Sequence, residues 1–334
     1  MGWTVLVTAR AFWVSGAEAR RELEAAGCRV VDAPEAGPLP EHVLIPLLQP
    51  CDAVIASNDP YTAAVFAACP RLKVVSRCGV GIDRIDTAAA TEAGVVVANI
   101  PDAMTEAVAD FTLALMLAVA RRIPEGDALM RAGGWGEFPG VQLPGKTLGL
   151  VGFGQIGRAV ARRALGFGMR LLACDPRLAG GRAPDPPAEV VSLQELLERS
   201  DFVSLHAPAT PETAGLFGSA EFGRMKPTAY FINTARGALV DEAALVDALN
   251  RGLIAGAGID VYAQEPCPPD HPLRRAPNTV LAPHNAFNSV EAAREMSLRS
   301  AAAILDVMRG GRPRCPVNPA VFESPPLRCR VQAG

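Results

Sequence analysis

Three side chains of this 334-residue sequence could together serve a reaction at a carbonyl. Arg236 lies in NTARGALVDE, Glu265 in DVYAQEP, and His284 directly after VLAP. An imidazole exchanges protons near neutrality, and an arginine and a carboxylate are polar groups that a reaction site can use. That set suits carbonyl reduction, where a developing alkoxide needs a proton donor. Competing donors are few: the chain has four histidines (His42, His206, His271, His284) and three lysines (Lys73, Lys146, Lys226). No tyrosine is followed four residues later by lysine, which removes a Tyr/Lys donor pair. Cys267, Asp270 and His271 lie close, but in a Pro-rich loop without zinc spacing, so no metal is expected. Taken singly, His284 also fits a structural histidine closing a domain, Glu265 a solvated loop carboxylate, and Arg236 a surface charge before a helix. Together, each just past a different strand, they converge as a site requires.

A second constellation lies upstream. LGLVGFGQIGRAVARRALGFG sets Gly152, Gly154 and Gly157 in the G-x-G-x-x-G spacing. The first glycine makes the turn out of a strand, the second lets backbone approach a pyrophosphate, and the third packs helix on strand. The helix beginning near Gln155 aims free N–H groups and its positive dipole end at the phosphates. The spacing alone fits any Gly-rich turn. Here an apolar strand precedes it and an apolar stripe (Ile156, Val160, Ala164, Phe167) follows. A second strand then ends on Asp175, eighteen residues after Gly157. Residues 147–175 thus read as a dinucleotide-binding βαβ unit. Asp175 would accept the ribose hydroxyls and repel a 2′-phosphate, favouring NAD. Arg177 could pair with such a phosphate, which leaves NADP as the less favoured coenzyme.

These residues need a scaffold. Strands are expected at 5–8, 53–56, 73–76 and 95–98. Helices are expected at 17–26 and between the second and third strands. Strands spaced by helices imply a parallel, doubly wound sheet. After Pro101 a long apolar helix is expected over 105–122, then a Gly/Pro-rich loop over 133–144. A second series follows with six strands, at 147–151, 170–174, 202–206, 229–233, 256–260 and 279–282, the number of a full Rossmann sheet. A last helix, 290–309, and a Pro/Arg-rich tail, 312–334, are expected to pack on the first domain. The fold class is therefore α/β with two doubly wound domains: residues 1–98 plus 288–334, and residues 99–287. Pro-rich stretches at 34–40, 180–187 and 263–277 read as surface loops.

Bulk composition narrows the function. The formal net charge is −3, and no basic block could follow a phosphate backbone, so nucleic acid is not an expected partner. The first ten residues read as a strand rather than a charged leader, and the most apolar helix is too short to span a bilayer. Eight cysteines, at 28, 51, 69, 78, 174, 267, 315 and 329, form no C-x-x-C pair, which suits a reducing cytoplasm.

At this point the sequence resembles a known family. NTARGALVDEAALVDAL, DVYAQEP, the Pro-His after the last strand, VGFGQIGRAVARRALGFGM, SRCGVGIDRID and NIPDAMTEAVADF are similar to the D-isomer-specific 2-hydroxyacid dehydrogenases. Phosphoglycerate dehydrogenases and glyoxylate/hydroxypyruvate reductases belong to that family. The resemblance covers about residues 50 to 310. It implies an NAD-dependent enzyme acting on a small 2-keto or 2-hydroxy acid, with the active site in the cleft between the domains. It implies that Arg236 binds the substrate carboxylate and carbonyl, that His284 exchanges the proton, and that Glu265 supports His284. Backbone N–H groups of Gly79, Val80 and Gly81 would hold the carboxylate, with Ser57 and Arg77 nearby. Asp260, Thr234 and Ala235 would hold the carboxamide, and His206, Ala207 and Pro208 would wall the adenine. Further coenzyme contacts are implied at Val80, Thr105, Gln155, Ile156 and Ala286. The helix 105–122 and the loop after it resemble a dimerisation element, implying a homodimer.

The sequence also departs from the pattern. Phe287 and Asn288 replace small residues after His284, and would narrow or repolarise the pocket. Ser57 stands where phosphoglycerate dehydrogenases carry Arg, and residues 135–138 lack a cation, which weakens a phosphorylated substrate. Glyoxylate, hydroxypyruvate or a phosphonate analogue of pyruvate stay open. A reading of another class is an NAD(H)-sensing binding protein of the corepressor type. L-specific lactate or malate dehydrogenases are disfavoured, because there the glycine motif opens the chain.

Overall fold

The structure, a computed structural model, describes residues 2–178, 183–323 and 327–328. The expected loop 180–187 therefore begins outside the described residues, as does most of the tail beyond 323, with Cys329. The chain divides into two compact units, Met1–Met104 with Asn288–Gly334, and Thr105–Phe287.

The first unit carries five parallel strands: β1 (Thr4–Val7), β2 (Arg29–Asp32), β3 (Ala53–Ala56), β4 (Val74–Arg77) and β5 (Val96–Ala98). Their order is β2-β1-β3-β4-β5, the flavodoxin-like winding. Strands covered on both faces need apolar residues at every position, and β3 (AVIA) is buried throughout. β2 was not expected from sequence. As an edge strand it is half wet, and RVVD shows no buried run. Leu6, Val54 and Val75 pack with Leu44, Leu48 and Phe66 on one face. Each such burial contributes about 1.5–3 kcal/mol. On the other face lies the helix Val290–Met308, where Ser76 Oγ donates to Ser300 O at 3.0 Å. Residues 315–318 then run back beside β5, with Val317 N–H donating to Val97 O at 2.8 Å.

The second unit has seven parallel strands: β6 (Thr147–Val151), β7 (Arg170–Cys174), β8 (Glu189–Val190), β9 (Phe202–Leu205), β10 (Tyr230–Asn233), β11 (Gly256–Ile259) and β12 (Thr279–Leu281). The order is β12-β11-β10-β9-β6-β7-β8. It contains the Rossmann arrangement, with the winding reversing between β6 and β9. The six expected strands are present. The seventh, β8, is an exposed two-residue edge whose sequence carries no apolar period. Alternation puts Val203 and Phe231 on one face and Phe202 and Ile232 on the other, giving two separate cores.

The long helix ends sooner than expected, at Ala120. Arg122 takes a left-handed conformation (φ 53°), and Pro124 near the start of the next helix, Ile123–Arg131, favours a fresh beginning over a continuation. That second helix buries none of its residues. Ile123, Met130 and Trp135, the last 87 % accessible, are exposed beside it.

Candidate active site

The coenzyme cradle grows from β6. Gly152 sits at φ 93°, and a Cβ there would lie 2.6 Å from the His206 carbonyl carbon. A Cβ on Gly157 would lie 2.4 Å from Gly152 O, so the helix Gln155–Gly166 can start this close to the strand only with glycine. Gly154 differs: a Cβ there would meet only the Arg177 guanidinium, at 3.4 Å. The first and third glycines are thus demanded by packing, while the second leaves its backbone open to a flexible side chain or a ligand. Thr105, the first residue of its helix, has a buried Oγ1 without a hydrogen-bond partner in the chain. An open glycine face at a helix N-terminus and an orphaned hydroxyl fit a bound dinucleotide.

Asp175 follows β7 and is buried. Its Oδ2 accepts from Phe153 N (2.7 Å) and Arg177 Nη2 (2.6 Å), and its Oδ1 from Arg177 N (2.9 Å) and Nε (3.0 Å). The Arg177 fork foremost, then the Phe153 and Arg177 backbone N–H groups, outweigh burial and hold the carboxyl down to about 2. His206 follows β9, its Nε2 2.9 Å from Ser204 Oγ, and burial holds the ring well below the ordinary imidazole range. Ala207 and Pro208 continue the same loop.

Arg236, Glu265 and His284 follow β10, β11 and β12, so three adjacent strands deliver them to one sheet edge. Asn233 shapes the first turn: its Oδ1 accepts Ala235 N–H at 3.0 Å and its Nδ2 donates to Arg236 O at 3.0 Å. Gly237 then abuts the next loop so closely that a Cβ would lie 2.0 Å from the Tyr262 carbonyl carbon. In that loop Tyr262 N–H donates to Glu265 Oε1 at 3.1 Å, and Tyr262 OH donates to Ala282 O at 3.0 Å. Glu265 Oε2 stands 2.6 Å from His284 Nδ1. Burial alone would raise the Glu265 carboxyl. The hydrogen bond and charge of His284, the Tyr262 N–H and the Arg236 charge together hold it below the usual range. An ionised carboxylate only accepts, so Nδ1 carries the proton facing Glu265, and Nε2 is the nitrogen left for substrate chemistry.

His284 is one of three described non-glycine residues with positive φ (53°). Asp260 holds it there. Its carbonyl accepts His284 N–H at 2.7 Å, and its carboxylate accepts Asn285 N–H (2.8 Å) and Ala286 N–H (2.9 Å). Three successive N–H groups converge on one fully buried residue. Burial raises the Asp260 carboxyl above its ordinary range against the pull of those donors. Sequence reasoning assigned Asp260 to a carboxamide and missed this clamp, as it missed Asn233 and Tyr262. An Asp closing an apolar strand was the available signal. Thr234 is linked to Thr112 of the long helix (Oγ1···Oγ1 2.9 Å). Phe287 meets the His284 ring edge-on at 6.1 Å between centroids.

Ser57, Arg77, Gly79, Val80 and Gly81 belong to the first unit, just past β3 and at the end of β4. Ser57 N–H donates to Thr8 Oγ1. Arg77 donates to Cys78 O (2.6 Å) and Gly81 O (3.0 Å), Asn99 Nδ2 to Val80 O (2.8 Å), and Ile100 N–H to Gly79 O (2.9 Å). Every carbonyl of residues 78–81 is thereby occupied, which reduces what would repel an anion at that loop. Among the described residues no His/Cys/Asp/Glu group could hold a metal, and no helix is long and apolar enough to cross a membrane. The described cysteines are free.

Comparison with known proteins agrees with this architecture. The family described as D-isomer specific 2-hydroxyacid dehydrogenase, NAD binding domain, matches residues 113–286. A glyoxylate reductase of Korarchaeum cryptofilum is 45% identical over 296 residues, covering 86% of this chain and 89% of that protein. A D-3-phosphoglycerate dehydrogenase of Mycobacterium tuberculosis is 43% identical over 267 residues, 79% of this chain but only 49% of that longer protein. The crystal structure of TT0316 protein from Thermus thermophilus superposes with a TM-score of 0.86 at 42% identity, covering 94% of this chain and 99% of that one. With a nicotinamide-nucleotide domain matched by sequence and the whole fold matched in space, the chain belongs to the D-isomer specific 2-hydroxyacid dehydrogenases and is an oxidoreductase.

Proposed function

We propose that this protein reduces small 2-keto acids, glyoxylate foremost, to 2-hydroxy acids with NADH. The observation that carries the reading is the 2.6 Å contact between His284 Nδ1 and Glu265 Oε2, one strand from Arg236. The bound nicotinamide supplies the hydride. Arg236 pairs with the substrate carboxylate and turns the carbonyl oxygen toward His284. His284 passes its Nε2 proton to that oxygen as charge develops there. Glu265 balances the imidazolium before the transfer and fixes the ring throughout. The turn from Gly152 to Gly157 would hold the pyrophosphate, with the open backbone of Gly154 facing it and Gln155, Ile156 and Thr105 beside it. A glyoxylate reductase with 45% identity over most of both chains supports the substrate class. A phosphorylated substrate is the weaker reading, because Arg77 spends Nε and Nη1 on loop carbonyls.

NAD is favoured over NADP. Asp175 is buried and held ionised, whereas the Arg177 side chain on it is 71% accessible. So exposed a guanidinium can swing out into water, after which the ribose hydroxyls take its place on the carboxylate. The test is a panel of 2-keto acids with NADH and NADPH, for the parent protein and Asp175→Ala. We expect glyoxylate or hydroxypyruvate to turn over with an NADH preference on the order of 10-fold or more, shrinking in the variant. Tight NADH binding without oxidation by any acid would instead mark a nucleotide-sensing binding protein.

The same proposal includes a homodimer. Ile123 and Met130, on a helix with no fully buried residue, and Trp135 just past its end stand exposed, as expected of a surface that is covered on association. Light scattering should read twice the chain mass. A single-chain mass at micromolar concentration would refute it.

A further inference from the structure

We infer that Glu242 and His271 form a second carboxylate–imidazole pair whose task is to hold the loop that carries Glu265. The inference rests on the acid–base reading of Glu265 and His284 given above. Glu242 is the first residue of the helix Glu242–Asn250. The helix N-terminus does not need it, because Asp241 Oδ1 already accepts Ala243 N–H at 3.0 Å and Ala244 N–H at 3.1 Å. Glu242 turns instead to the loop after β11. Its Oε1 accepts Ala263 N–H at 2.9 Å, and its Oε2 stands 3.1 Å from His271 Nε2. These anchors lie two residues before Glu265 and six after it. One carboxylate therefore ties both limbs of the loop to one helix.

The protonation states follow from the partners. His271 Nδ1 faces Leu273 N–H as an acceptor, so Nε2 carries the proton that Glu242 receives. The Glu242 and His271 side chains are 14% and 18% accessible, far drier than an ordinary surface pair. Removing one partner leaves the other poorly solvated, and the loop must then shift to satisfy it. The shift reaches the site through one peptide. Ala263 adjoins Tyr262, whose N–H holds Glu265 Oε1 and whose backbone meets Gly237, next to Arg236. His271, singled out in sequence beside Cys267 and Asp270, thereby gains a role without any metal.

The pair consists of positioning residues, since neither contacts His284. The test uses the whole protein with NADH and glyoxylate. His271→Ala and Glu242→Ala should each lower kcat on the order of 10-fold to 100-fold, the scale of a misplacement near 1 Å. NADH affinity, read by fluorescence, should stay within about twofold, because the cradle is untouched. His271→Gln, which still offers a donor to Glu242, should recover most of the loss. Exchange of the Ala263 amide should quicken in Glu242→Ala. An unchanged kcat in both alanine variants overturns the inference, whatever the amide does. So does a loss shared equally by NADH affinity and melting temperature with no rescue by glutamine. His284→Asn, run in parallel, separates the two claims. If it keeps the parental rate, the acid–base reading falls, while the Ala263 exchange still reports whether the tether exists.

Discussion

Replacing His284 with asparagine is expected to slow glyoxylate reduction on the order of 10³-fold, the middle of the range that a positioned general acid contributes. The choice of asparagine matters. His284 sits at φ 53°, where alanine adds backbone strain and asparagine adds little. The bonds to Asp260 are donated by the backbone N–H groups of 284, 285 and 286, not by the imidazole, so they survive the exchange. What is lost is the imidazole, and with it the ring in contact with Glu265. NADH affinity should hold, because Gly152, Gly154, Gly157 and Asp175 lie on other strands. The loss should appear in both directions, as the same group gives the proton in reduction and takes it in oxidation. Steady-state rates with NADH and NAD decide the matter: a variant within a few-fold of the parent means that the proton comes from elsewhere.

Arg236→Ala should be nearly as damaging, but should divide differently between the constants. The guanidinium would contact the acid in the ground state through its carboxylate and in the transition state through the carbonyl oxygen. KM should therefore rise and kcat fall together, for a combined loss in kcat/KM of about 10²- to 10³-fold, or roughly 3–4 kcal/mol. Arg236→Lys keeps the charge and loses the fork, so it should recover part of KM and little of kcat. A secondary effect is expected on Glu265, whose ionised form Arg236 favours. Unchanged kcat/KM for the alanine variant, with intact NADH binding, would remove Arg236 from the reaction.

Much of this was readable before any fold was in hand. The strands that carry the cradle and the three polar side chains are short apolar runs ended by Gly, Asn, Asp or Pro, and such runs announce themselves. The edges did not: Arg29–Asp32 and Glu189–Val190 are half wet or fully exposed, so no apolar period marks them. The helix Ile123–Arg131 was hidden because Pro124, Gly126 and the charges around them interrupt the apolar run and none of its residues is buried. The supports of the site were the least visible. Asp260 and His284 are twenty-four residues apart and meet only because β11 and β12 are neighbours. Glu242 reaches His271 across twenty-nine residues for a similar reason. Sequence spacing identifies groups able to do chemistry, but their bracing depends on strand order, which spacing does not encode.

The left-handed turn at His284 also bears on how such a chain can drift. Few side chains tolerate that conformation: glycine, asparagine, aspartate and histidine are the usual ones. Only histidine among them ordinarily titrates near neutrality. The backbone thus shortens the alphabet at this position before chemistry selects from it, and the remaining letters are those that keep the turn while abandoning proton transfer. A lineage that loses catalysis here need not lose its fold or its nucleotide cradle. It would persist as a folded receptor for the nucleotide, one substitution away from the enzyme.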